Sequence, residues 1–333
     1  MKIDLTLDSE EHVLEHEAPS GKGQPTPGDG ARLTRAATAP DLHKAGQSLA
    51  AAGTGDRRIG EILCAMGAMT TAQVQKVLEH QRIHGKLFGE TAIALGYVKR
   101  EDVISALSQQ FSFPYAANRT DVQLHEELVM ANAPFSDEVE CFRSLRSDLL
   151  MGMLSPAAPD RTALAIVSPE IGDGKTFVLA NLAVAFSQAR GRTLVIDADM
   201  RSPRLHEVFG IENKAGLSNI LSGRTETQVI QPVAYLPNLY MLPAGTLPPN
   251  PTELIHQPAF EILLHELVSK FDVVLVDTPA AAHGSDASVV AARCGAAMVV
   301  ARRGASRVAS LQALLARLAK SNTRLAGVMM NDV

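Results

Sequence analysis

The 333-residue chain is 46% hydrophobic with a formal net charge of −5, enough to bury a sizeable core and without the concentrated basic face that nucleic acid requires. Cys64, Cys141 and Cys294 stand far apart with no C-x-x-C pair, which argues against a disulfide framework or a zinc site and suits a reducing cytosol. The opening MKIDLTLDSEEHV is too acidic for a secretory leader, and no window approaches ~18 uninterrupted apolar residues, so no direct membrane span is expected.

Residues 1–56 are rich in Pro, Gly, Ser, Ala and charge, as in PSGKGQPTPGDG. Such a stretch buries too little apolar surface to offset its ordering entropy, so it is expected to be disordered. An internal repeat follows. RIGEILCAMGAMTTAQVQKVLEHQ (58–81) aligns with LFGETAIALGYVKREDVISALSQQ (87–110), placing Gly60 on Gly89, Gly67 on Gly96, Leu78 on Leu107 and Gln81 on Gln110. Each unit reads as helix, glycine turn and helix. Thr70 or Thr71 can cap the second helix of the first unit, and Lys99 to Asp102 open that of the second. Val74, Val77 and Leu78, like Val103, Ile104 and Leu107, supply the apolar stripe that lets the units pack as a small all-α repeat domain over 57–115. The aromatic FSFPY closes it, and 116–137 reads as a linker.

From residue 138 apolar runs alternate with helical stretches. Strands are expected at 162–168, 192–197, 238–242, 272–277, 296–301 and 325–330, and helices at 175–189, 258–269, 285–293 and 306–320. Continuous apolar strands joined by helices imply an α/β domain over 138–333, with a mostly parallel sheet covered on both faces. Ligands in such sheets sit at the carboxyl ends of the strands. The chemical motifs fall there.

SPEIGDGKT (168–176) lies between the first strand and a helix, the setting of a P-loop. Gly172 and Gly174 let backbone N–H groups turn around phosphate, Lys175 can reach the β and γ phosphates, and Thr176 can offer its hydroxyl to Mg2+. Asp173 and Phe177 complete the nucleotide-binding stretch, in which the motif's usual first glycine is Pro169. TLVIDADMRSP (193–203) ends its strand with Asp197 and Asp199, followed by Arg201, and FDVVLVDTPA (271–280) ends another with Asp277. A strand-end carboxylate can hold a divalent cation or take a proton from an attacking hydroxyl, and it is also what a plain helix cap requires. Three strand ends carrying such groups point to a P-loop NTPase domain.

The trio G-D-G-K-T, V-I-D-A-D-M-R-S-P and V-L-V-D-T-P resembles the bacterial tyrosine kinases of polysaccharide export, whose fold is similar to the partition and cell-division ATPases. In that family the loop lacks its first glycine, so Pro169 fits, while Glu170 stands where a partition ATPase carries a second lysine. The resemblance covers 138–333 and implies ATP, Mg2+ and transfer of the γ-phosphoryl to a protein tyrosine hydroxyl. It assigns catalysis to Lys175, Asp197, Asp199 and Asp277, with Asp199 the base and Thr176, Asp197 and Asp277 at the metal. It also implies nucleotide contacts from Arg201 and from Asn331, the latter matching an asparagine that touches adenine in related ATPases. Glu140, Arg143 and Arg146 match the family's E-x-x-R-x-x-R helix, so a homo-oligomer is expected; taken alone they read as a solvated, salt-bridged face. LPAGTLPPNPTELI (242–255) and RSPRLHEVFG (201–210) also look like family segments. The family's tyrosine-crowded tail is missing, with only Tyr97, Tyr115, Tyr235 and Tyr240 present, so autophosphorylation of a cluster is not expected.

The repeat resembles the N-terminal domain of type II secretion and pilus assembly ATPases, some of which bind cyclic di-GMP. Arg58, Gly60, Gly67 and Gln81 match in the first unit and Gly89, Gly96 and Gln110 in the second. There Leu87 replaces the second arginine, and Lys86 beside it is a poor substitute for a bidentate guanidinium. The bland alternative is a helical docking domain whose glycines serve packing. With this repeat in front, the chain looks like the chain-length-determinant kinases of exopolysaccharide gene clusters. That implies a cytoplasmic protein, peripheral to the inner membrane through a membrane chain-length-determinant partner. The competing readings are a partition-type ATPase and a cyclic-dinucleotide-gated scaffold that binds ATP without phosphorylating anything.

Overall fold

The computed structural model describes residues 59–111, 125–133, 136–155, 158, 160–189, 191–224, 229–236 and 238–332. The segment 1–56 expected to be disordered, Arg58, and residues 112–115 of FSFPY lie outside the described residues.

The repeat forms four helices, α1 (Ile59–Ala65), α2 (Thr71–His84), α3 (Phe88–Ala94) and α4 (Arg100–Phe111). Thr70 caps α2 in a capping box: its hydroxyl accepts the Gln73 N–H at 3.3 Å while Gln73 Oε1 accepts the Thr70 N–H at 2.8 Å. At α4 the Asp102 carboxylate accepts the Lys99 N–H at 2.9 Å. The two units interlock, α1 packing on α4 and α2 on α3, around Leu63, Val77, Ala92 and Ala106. The glycines set how closely helices approach. A Cβ on Gly60 would lie 3.0 Å from a Val74 methyl, and one on Gly89 would lie 2.7 Å from the equivalent Val103 methyl.

The second part begins earlier than the sequence pattern suggests. Residues 125–133, read as linker, carry a short helix α5 (Val129–Asn132), with Leu128 and Met130 fully buried in the core of the α/β domain. The apolar run Leu128-Val129-Met130-Ala131 is too short to signal a helical period, so only the tertiary contact reveals it. The helix α6 (Asp137–Met151) follows and buries Val139, Phe142 and Leu149 in the same core.

A seven-stranded sheet is the frame. Its strands are β1 (Ala163–Val167), β2 (Thr193–Asp197), β3 (Gln231–Pro232), β4 (Leu239–Leu242), β5 (Val273–Asp277), β6 (Gly295–Arg302) and β7 (Arg324–Asn331), in the order β3-β4-β2-β5-β1-β6-β7. Every pairing is parallel except β3 with β4, a two-residue edge strand with no apolar run to announce it. Strand residues alternate between two cores: Leu164 and Ile166 face one, Ala163, Ala165 and Val167 the other. The first core is closed by α5, α6, α7 (Lys175–Ser187) and α8 (Leu205–Phe209). The second is closed by α9 (Leu217–Leu221), α10 (Pro251–His256), α11 (Pro258–Lys270), α12 (Asp286–Cys294) and α13 (Val308–Ala319). This is the α/β P-loop architecture expected, with β1 between β5 and β6 and its carboxyl end opening onto α7.

Candidate functional site

The loop from Ser168 to Gly174 connects β1 to α7. Gly172 and Gly174 adopt φ of +82° and +93°. At Gly174 a Cβ would also stand 2.1 Å from Asn331 Nδ2, so backbone and space both require glycine. The loop is pinned to the neighbouring strand end by the Ala281 N–H on the Ser168 carbonyl and the Ala282 N–H on that of Pro169, at 2.8 and 3.1 Å. It therefore presents the amino end of a thirteen-residue helix at the carboxyl edge of the sheet. That is where fixed N–H dipoles favour an anion.

Below the loop the carboxylates converge. Asp197 and Asp277 are register partners at the ends of the adjacent strands β2 and β5, and both are buried. Thr176 Oγ1 donates to Asp277 Oδ2 at 2.7 Å, and the other Asp277 oxygen accepts the Thr278 N–H at 3.1 Å. Asp197 accepts the N–H groups of Asp199 at 3.1 Å and Leu205 at 3.3 Å. Burial pushes the Asp197 carboxyl well above the usual carboxylate range, and the charges of Asp277 and Asp199 push it further. Burial also lifts Asp277 to about 6, against the pull of the buried Lys175 ammonium and the Thr176 hydroxyl. Crowded carboxylates with one lysine to balance them suit a divalent cation, which needs one or two carboxylates, a hydroxyl and phosphate oxygens. Asp199 is half-buried, and its Oδ1 accepts the N–H groups of Arg201 and Ser202 at 3.1 and 2.9 Å.

Other expected site residues are used elsewhere. Asp173 is 1% exposed and turns inward, bonding to Glu170 N–H and to Ser306. The Phe177 ring lies edge-on to Phe142 of α6 at a centroid distance of 6.0 Å. Arg201 Nε donates to Asp286 at 2.7 Å and its Nη2 to Thr252 at 3.2 Å, tying the loop after β2 to α10 and α12. Asn331 is buried at the end of β7 with its amide donating to the Asp173 carbonyl at 3.1 Å, so in this structure it props the loop. On α6, Arg143 pairs with Glu140, whereas Arg146 turns away to the Ala185 carbonyl at 2.7 Å, near the end of α7. Gly67 and Gly96, at φ of +73° and +69°, form the turns of the two helical units. With the contacts at Gly60 and Gly89, packing and turn geometry account for all four glycines; Gln81 and Gln110 are half-buried on α2 and α4.

Sequence reading missed three supporting groups. Ser306 and Arg302, at the end of β6, reach the phosphate loop. Asn181, inside α7, accepts the Met130 N–H and donates to the Glu127 carbonyl, and the Glu127 carboxylate forms a two-point pair with Arg204. A buried asparagine in an otherwise apolar helix was the one available signal; the others had none.

Residues 164–333 match the family of the CobQ/CobB/MinD/ParA nucleotide binding domain. The tyrosine-protein kinase Wzc of Salmonella typhimurium is 36% identical over 207 residues, 62% of this chain and 28% of that protein. The chain thus spans well under half the length of such relatives. CapB of Staphylococcus aureus, assigned to the tyrosine-protein kinases, is 33% identical over 209 residues that cover 89% of its own length. Among solved structures, the kinase domain of Escherichia coli tyrosine kinase ETK superposes with a TM-score of 0.60 at 32% identity, covering 65% of this chain and 83% of that one. On these matches, with the loop and its carboxylates in place, the chain belongs to the bacterial tyrosine-protein kinases, built on the CobQ/CobB/MinD/ParA nucleotide-binding domain.

Proposed function

We propose that this chain is an ATP-dependent protein tyrosine kinase of exopolysaccharide production. It acts as an oligomer beside a membrane chain-length-determinant protein and governs polymer length and export. The observation that carries the reading is the meeting of Lys175, Thr176, Asp197 and Asp277 beneath one helix amino end. Lys175 and the loop N–H groups bind and orient the β and γ phosphates. Thr176, Asp197 and Asp277 would hold Mg2+, which supplies charge neutralisation at the phosphates when bound. Asp199, less buried than Asp197, accepts the proton of the tyrosine hydroxyl as its oxygen bonds to the γ-phosphorus, while the bond from that phosphorus to the bridging oxygen breaks and ADP leaves. Catalysis of this kind is mainly positioning and charge stabilisation. Glu140 and Arg143 lie on the self-association face, which Arg146 backs through its bond to the Ala185 carbonyl, and the partner supplies the membrane attachment; among the described residues no helix is long and apolar enough to cross a bilayer.

The test is incubation of the full chain with labelled Mg·ATP and the partner's cytosolic segment, followed by phosphotyrosine mapping. Phosphotyrosine on the partner, lost in Lys175→Met, is the expected result. ATP turnover without phosphotyrosine overturns the kinase reading and leaves an ATPase. ATP bound with no turnover at all leaves a scaffold.

A further inference from the structure

We propose that Ser306 is a positioning residue for the phosphate loop, acting through the buried carboxylate of Asp173; this rests on reading the loop as an ATP site. Ser306 lies in the turn between β6 and α13, far along the chain from the loop it touches. Its Oγ accepts the Arg302 N–H at 2.7 Å and donates to Asp173 Oδ1 at 2.6 Å. The second Asp173 oxygen accepts the Glu170 N–H at 2.8 Å. One carboxylate therefore closes the loop on itself from Glu170 to Asp173 and fastens it to the end of β6.

Two neighbours work on the same strand ends. Asn331 of β7 donates to the Asp173 carbonyl at 3.1 Å, and an Arg302 Nη lies 3.5 Å from the Gly172 carbonyl. The turn that must surround a phosphate is thus shaped from behind, by strands β6 and β7, before any ligand arrives. Hydrogen bonds to an ionised carboxylate are the stronger class. Replacing Ser306 by alanine removes the only side chain from that turn bonded to Asp173 among the described residues. The loop must then be ordered at the moment of binding, so the loss falls on nucleotide affinity and leaves the transfer step itself intact.

The test is calorimetric titration of the full chain with Mg·ATP, alongside steady-state kinetics, for the unaltered protein, Ser306→Ala, Ser306→Thr and Lys175→Met. Losing one charge-assisted bond should weaken Mg·ATP binding about tenfold in Ser306→Ala, raising KM for ATP in step with kcat unchanged. Ser306→Thr, which keeps the hydroxyl, should restore binding. Ser306→Ala binding as tightly as the unaltered chain, while Lys175→Met loses the ligand, overturns the clamp and leaves the ATP site standing. A fall in kcat at unchanged KM, or failure of threonine to restore affinity, also overturns it. No binding by the unaltered chain removes the nucleotide reading and the clamp with it.

Discussion

Asp277→Asn should make the ligand-free protein more stable and inactive at the same time. Burial lifts the Asp277 carboxyl from 3.8 to about 6 in the folded chain. Each pH unit of such a shift is worth about 1.4 kcal/mol, so above pH 7 the ionised carboxylate costs the folded state about 3 kcal/mol. The sign follows from proton counts: between pH 4 and 6 the folded state holds the proton more firmly than the unfolded chain, so stability is lost as pH rises through that window. Asparagine removes the charge and keeps an oxygen for the Thr176 hydroxyl, but gives up the Thr278 N–H, which takes back about 1 kcal/mol. The net expectation is about 2 kcal/mol of added stability at pH 7.5, fading to nothing or below at pH 4. Denaturant unfolding without nucleotide or divalent cation, run from pH 4 to 8, measures it. Added Mg·ATP should stabilise the unaltered chain and leave the variant unmoved. A variant no more stable at pH 7.5, or an offset independent of pH, would refute the account of the crowded carboxylates.

Gly174→Ala meets both the positive φ and the Asn331 amide, so it should lose nucleotide binding and about 2 kcal/mol of stability; adding Asn331→Ala recovers only part, which equilibrium unfolding will show. Gly89→Ala drives a methyl into Val103 and should destabilise the helical unit by about 1–3 kcal/mol, more than Gly60→Ala at its looser contact. Val103→Ala in the same chain should relieve it, read by amide exchange over residues 59–111. Leu128→Ala should cost the α/β domain about 2–5 kcal/mol if 125–133 is core, against near zero for a linker, as denaturant midpoints will distinguish.

The parts legible in sequence are those with a local period. Strands at 162–168, 192–197, 272–277 and 296–301 lie within a residue or so of where they form, because a strand buried on both faces is an unbroken apolar run. The phosphate loop and its carboxylates were visible for a related reason: each sits at a fixed step from a strand end. The inward turn of Asp173 was not, because the hydroxyl that claims it comes from Ser306 in the turn after β6, and no spacing encodes a partner that distant. Arg201 was read toward the nucleotide; its bonds to Asp286 and Thr252 depend on how α10 and α12 dock, which a strand-end motif does not specify. The glycines of the repeat were seen as alike in both units, but only the valine methyls opposite them show which pair is the tighter.

Helix α7 is gripped along its length as well as at its loop. Asn181 fastens its middle to residues 127 and 130, and Arg146 reaches from α6 to its last turn at Ala185. A helix of thirteen residues is a rod of about 20 Å, stiff on that scale. A rod clamped at its far end and its middle passes on a displacement instead of absorbing it. Lys175 at the loop end and Arg146 of α6 at the far end therefore hold one mechanical element, and sliding α6 along that rod breaks the bond to Ala185.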